Sequence, residues 1–233
     1  LNLSKNELMF VAQKAEHDFA GTPCGIMDQY TIIHGQKNHL LYLNCDELTH
    51  EEVKTDMSDF QWLLFNTNVK HELQNSAYQD KVQETQKALK IIQSVYPQVK
   101  SLAQVSMEIL EALKDQFTTK IHDRVLYVVQ EQKRVVEAVL EIGAGNWIEL
   151  GKLLYDTHNG LKNLYEVSCQ ELDYLVELTK PLNDVLGSRM MGGGFGGCTL
   201  NLVKKEAVEN VVKQVSDAFN KQFKVPCTPI ILQ

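Results

Sequence analysis

The chain has 233 residues, of which 44% are hydrophobic and 23% charged, enough apolar material for the core of one large domain or two small ones. A formal charge of −7 and a pI near 5.5 leave no basic footprint to neutralise a phosphate backbone or an anionic membrane surface, so neither nucleic acid nor a membrane is expected as a partner. The longest apolar runs, LYVV at 126–129 and PIIL at 229–232, are far too short to cross a bilayer and no signal pattern opens the chain, which predicts a soluble, cytoplasmic protein.

In chain order, residues 5–19 place Leu8, Val11, Ala12, Ala15 and Phe19 on one helical stripe behind Ser4, an N-cap with Glu7 three residues on. GTPCG at 21–25 reads as a turn, and IMDQYTIIHG as a short helix closed by Gly35. HLLYLNC at 39–45 and FQWLLFNT at 60–67 have strand length, with a polar connection between them, and the second is continuous enough to be buried on both faces. Helices are predicted at 77–94, 104–116, 120–142, 146–157 and 167–179. In the longest, Val125, Val128, Val129, Gln132, Val135, Val136 and Val139 form a stripe expected to lie in the core. The chain ends in strand (198–203), helix (205–222) and strand (228–232). The sum is a mixed α+β chain.

Cys24, Cys45, Cys169, Cys198 and Cys227 show no CxxC spacing and are expected to be buried, reduced thiols. The seven histidines have no HExxH or paired spacing and support no zinc site. They read as surface or satisfied core residues.

Two segments carry candidate chemistry. GGGFGG at 192–197 satisfies GxGxxG, but the dinucleotide fingerprint needs a helix after it and here a strand follows. Five glycines in six positions still let backbone N–H groups approach a ligand or a neighbouring loop closely, or simply make a tight bend. In PCGIMDQ at 23–29, a turn delivers Asp28 to a helix start, where the dipole keeps a carboxylate ionised and able to orient a hydroxyl. An ordinary helix-terminal acid is the plainer reading.

Together PCGIMDQ (23–29), NTNVKHEL (66–73), LYEVSCQELD (164–173) and GSRMMGGGFGGCT (187–199) resemble, in order and spacing, the C-terminal signature blocks of galactokinases of the GHMP superfamily. The resemblance implies antiparallel sheets packed with helices, the type of the GHMP-kinase C-terminal domain. Residues 1–57 would be the remnant of an N-terminal domain that carries the catalytic aspartate, and 58–233 the C-terminal domain. The family's first signature, which grips the sugar, and its second, a phosphate-binding loop, do not occur in these residues. A first residue that is leucine and not methionine points the same way, to a piece of a longer enzyme whose N-terminal domain is its missing partner.

By the same resemblance Asp28 is the catalytic aspartate acting on the C1 hydroxyl of galactose as it attacks the γ-phosphate of ATP, while Gly25 and Tyr78 contact the sugar. Glu16 matches the acid associated with Mg²⁺. Gly192, Gly193, Gly194, Gly196 and Gly197 match the third GHMP signature, beside the nucleotide. Two departures stand out. After Tyr78 many members carry a basic pair where this chain reads Gln79, Asp80, Lys81 and Val82, and Met191 stands where many have threonine. A sibling kinase acting on N-acetylgalactosamine and a galactose-sensing transcriptional regulator are the alternatives. The 233 residues alone are expected to show no turnover.

Overall fold

The computed structural model describes residues 3–21, 24–70 and 74–232, and of residues 70 and 74–78 only the backbone. The chain divides into two compact units, Leu1–Asp56 and Met57–Gln233.

The first unit holds helices α1 (Lys5–Asp18) and α2 (Met27–His34) and an antiparallel hairpin of β1 (His39–Asn44) and β2 (Thr49–Lys54). A capping box starts α1: Ser4 Oγ accepts from Glu7 N–H at 3.3 Å, and Glu7 Oε2 accepts from Ser4 N–H at 2.8 Å. The buried side of α1 is not the expected stripe. Met9 is fully buried with Ile26 and Tyr30, whereas Leu8, Val11 and Phe19 are exposed, because one small hairpin offers apolar surface to only one edge of the helix. Tyr30 ties α2 to β2, receiving a hydrogen bond from His50 Nδ1 at 2.8 Å and donating to Leu48 O at 3.2 Å. Strand β2 lies in what reads as a polar connection. Its sequence, THEEVK, has polar side chains on its exposed positions, so apolar alternation gives no signal.

The second unit is built on a four-stranded antiparallel sheet in the order β4 (Val185–Met190), β5 (Gly196–Lys204), β3 (Phe60–Lys70), β6 (Thr228–Ile231). As the continuous run in β3 predicts, this sheet is covered on both faces. Leu63 and Phe65 point to one side, against α7 (Gln170–Thr179) and α8 (Val208–Phe223), where Leu175, Val211, Val215 and Phe219 complete the larger core. Trp62 of β3 and Leu202 of β5 point to the other, against Leu150 and Leu154 of α6 (Trp147–Gly160). A separate helical core joins α3 (Gln74–Val95), α4 (Met107–Ala112) and α5 (Thr119–Ala144) around Ile92, Leu110, Val125 and Val129.

The mixed α+β architecture expected of the sequence is the one the structure has, with local corrections. The segment 104–116 breaks into α4 between two 3-10 turns, with Ser106 capping the middle piece. Strand β4 is a further element. Only part of the α5 stripe is core, since Val125 and Val129 are buried but Val135 and Val136 are 37% and 46% exposed. All five thiols are free, but only Cys227 is buried and Cys45 is exposed. Among the described residues no helix is long and apolar enough to cross a membrane.

Candidate functional site

In the first unit the turn before α2 is held from α1. Gln13 Nε2 donates to Cys24 O at 3.3 Å and His17 Nε2 lies 2.9 Å from the same oxygen, so two polar side chains one helical turn apart fix the residue preceding Gly25. Gly25 does not need to be glycine for its own chain: its backbone is not left-handed and an added Cβ would meet nothing within 4 Å. Its effect is to leave open space beside the turn. Asp28 follows in the first turn of α2, exposed, on a helix start that no side chain caps. First-turn amides and the helix dipole favour a negative charge there. Glu16, on α1, is exposed. Pro23 lies outside the described residues, and so does the side chain of Tyr78, whose backbone sits in the first turns of α3.

In the second unit the glycine cluster is the connection of a hairpin. Strand β4 enters it, β5 leaves it, and Met191 N–H closes it on Cys198 O at 3.0 Å. Gly192, Gly194, Gly196 and Gly197 all have positive φ, and so does Phe195 at 58°. Two of these positions differ in cause. At Gly194 a Cβ would overlap the Val167 carbonyl, whereas at Gly192 it would meet nothing within 4 Å, leaving backbone exposed for close approach. The tight bend and the approachable backbone foreseen as alternatives therefore coexist.

Behind the hairpin stands a polar cluster that the sequence pattern does not reveal. His158, 2% exposed, accepts the Met190 N–H on Nδ1 at 3.2 Å, so its proton is on Nε2, which faces Asp173 Oδ1 at 3.3 Å. Ser168 Oγ donates to the same oxygen at 2.6 Å and Lys162 Nζ sits 3.0 Å from Oδ2. Burial pushes the Asp173 carboxyl up, but the bonds from His158, Ser168 and Lys162 outweigh it and hold it down at about 2. The folded state thus binds this proton more weakly than the unfolded chain, whose ordinary value is 3.8. The resulting stabilisation, about 2 kcal/mol, is complete above that value and lost as the pH falls through the folded one. Asp173→Asn should accordingly flatten the fall of the urea midpoint between about pH 4.5 and 2.5. An unchanged slope would assign the acid sensitivity elsewhere.

Residues 1–36 match the GHMP kinases N terminal domain and residues 133–221 the GHMP kinases C terminal model. A galactokinase from Thermotoga neapolitana is 37% identical over 227 residues, covering 97% of this chain and 62% of that protein, and a human galactokinase is 36% identical over 209 residues, covering 90% and 52%. The structure of Lactococcus lactis galactokinase complexed with galactose superposes with a TM-score of 0.94 at 34% identity, over 100% of this chain and 60% of that one. The chain belongs to the GHMP kinases. It spans about three fifths of the length of the galactokinase relatives it matches first. L. major mevalonate kinase, at 18% identity and a TM-score of 0.60, shares the fold.

Within this GHMP-kinase frame, the fit to a nucleotide and a metal is partial. The uncovered backbone at Gly192 suits close approach of a phosphate-bearing ligand. Glu16 offers one exposed carboxylate, and the described residues contain no group of three or more side chains able to hold a metal ion. Magnesium commonly takes one or two protein ligands together with substrate phosphates, so Glu16 suits one donor of such a site and not a site of its own. Lys81, in the stretch that departs from the family pattern after Tyr78, is 7% exposed and lies 3.5 Å from both Glu84 and Glu166.

Proposed function

We propose that these residues form the C-terminal part of a galactokinase, which transfers a phosphoryl group from ATP to the C1 hydroxyl of galactose. The observation that carries this reading is the likeness to a galactose-bound galactokinase along the entire chain, at 34% identity and a TM-score of 0.94. The rest of the enzyme is the remainder of the N-terminal domain whose last part is matched at residues 1–36.

Phosphoryl transfer demands positioning and charge neutralisation more than covalent chemistry from the protein. Asp28 accepts or orients the C1 hydroxyl proton as that oxygen bonds to the γ-phosphorus and the bond from that phosphorus to the departing ADP oxygen breaks. The start of α2 suits this role, because it presents an exposed carboxylate in a first turn that no side chain caps. By the resemblance to the family, Gly25 and Tyr78 are assigned to the sugar, and Gly192, Gly193, Gly194, Gly196 and Gly197 to the nucleotide. Glu16 is one Mg²⁺ ligand; the ion supplies charge neutralisation on the phosphates when bound.

A coupled ADP-release assay on the full-length protein tests the reading. Release that depends on galactose and not on N-acetylgalactosamine is expected, at a rate of about 1–100 per second. Preference for the amino sugar would reassign the substrate, and sugar binding without ADP release would make the protein a sensor.

A further inference from the structure

One carbonyl braces the tip of the glycine hairpin. Val167 O accepts the Phe195 N–H at 2.7 Å, and Gly194 approaches it so closely that no side chain fits between them. The direction of that carbonyl is set by the residue before it. Glu166 ends a π-helical turn at 161–165 in the left-handed conformation, with φ 55°. Glutamate adopts this conformation rarely, and it persists only where the surroundings impose it.

Here the imposing group is Arg124 of α5, 1% exposed and the largest fully buried side chain of the described residues. Its Nη2 donates to Glu166 Oε2 and its Nη1 to Leu164 O, so one planar guanidinium clamps both ends of the left-handed turn. Its Nε donates to Glu84 of α3 at 3.0 Å. Lys81, one turn after Tyr78, reaches the same two carboxylates, and Lys120 closes the far side of Glu84 at 2.7 Å.

We propose that Arg124 and Glu166 are positioning residues of the kinase site, fixing the Val167 carbonyl and through it the glycine hairpin that faces the nucleotide. The proposal rests on the galactokinase reading for its link to ATP. The mechanical part stands on the contacts alone. Because Lys81 and Glu84 belong to the same charged cluster, the helix that carries Tyr78 and the hairpin share one anchor. Removing Glu166 frees the hairpin end of it while Arg124 and Lys81 keep Glu84.

Glycine at 166 retains the left-handed backbone at no steric cost and deletes only the carboxylate, so Glu166→Gly separates backbone geometry from the ionic clamp. In the full-length protein it should speed amide exchange at Phe195 about tenfold, with Leu200–Lys204 of β5 unchanged, and raise KM for ATP about tenfold while KM for galactose stays within about twofold. Glu166→Gln, which restores a neutral acceptor, should recover most of both effects. If Glu166→Gly is too unstable to purify, Glu166→Asn is read in the same way, since asparagine tolerates the left-handed region and is too short to reach Arg124. Unchanged exchange at Phe195 overturns the clamp, and faster exchange with unchanged KM for ATP overturns its role in the site. Should the parent protein release no ADP with galactose, the functional reading falls, and the exchange measurement alone decides whether Glu166 holds the hairpin.

Discussion

Asp28→Asn is expected to lower galactose-dependent kcat about a thousandfold, the range of a lost proton acceptor, with KM for galactose changed by less than about fivefold. Asparagine keeps the size and the place of the side chain in the first turn of α2, so the Gln13 and His17 bonds to Cys24 O and the open face of Gly25 are undisturbed. What disappears is the negative charge that the uncapped helix start favours. Loss of activity with unaltered sugar affinity would mark a residue acting in the transition state and not in binding. A fall of less than about tenfold, measured by coupled ADP release with ligand affinities checked by calorimetry, would remove Asp28 from the chemistry.

The largest effect on stability is expected at Gly187. Helix α6 and strand β4 touch backbone to backbone: a Cβ on Gly187 would overlap the main chain of Gly151, and one on Gly151 would overlap the Leu186 carbonyl. Neither obstacle can rotate away, so Gly187→Ala must push α6 off the sheet and loosen Leu150, Leu154 and Leu202 behind it. A cost of about 3–4 kcal/mol in urea unfolding follows, at the upper end for overpacking. Gly143→Ala serves as the contrast. It lies in α5 with nothing within 4 Å of the added carbon and should be neutral or gain up to about 1 kcal/mol. Equal midpoints for the two variants would show that the helix accommodates the methyl group.

These expectations also mark how far the sequence could be read. Ser4 with Glu7 and the glycine at 35 announce helix ends by local chemistry, and in the structure α1 starts behind Ser4 and α2 ends before Gly35. Strand β4 escapes because VLGSRM places a glycine and a serine at buried positions, where close approach of α6 and not apolar bulk decides burial. Arg124 escapes for a related reason. A lone arginine in an amphipathic helix reads as solvent-facing, and only its partners on α3 and at Glu166, far off in sequence, make its burial affordable. In the candidate site, Asp28 and the glycine cluster stand out by local pattern, whereas His158, Asp173 and Ser168 acquire meaning only when β4 brings Met190 beside them.

The pairing of α6 with β4 has one more consequence. Gly151 meets the strand at Gly187 and His158 meets it at Met190. Seven helical residues advance about 10.5 Å and three strand residues about 10 Å, so the two elements are commensurate over that interval. Helix and strand act as scale and vernier, aligned at both marks. Dropping a single residue from 152–157 would turn His158 by about 100° from its mark while the glycine contact stayed seated, and the hairpin would lose its rear support with the sheet still intact.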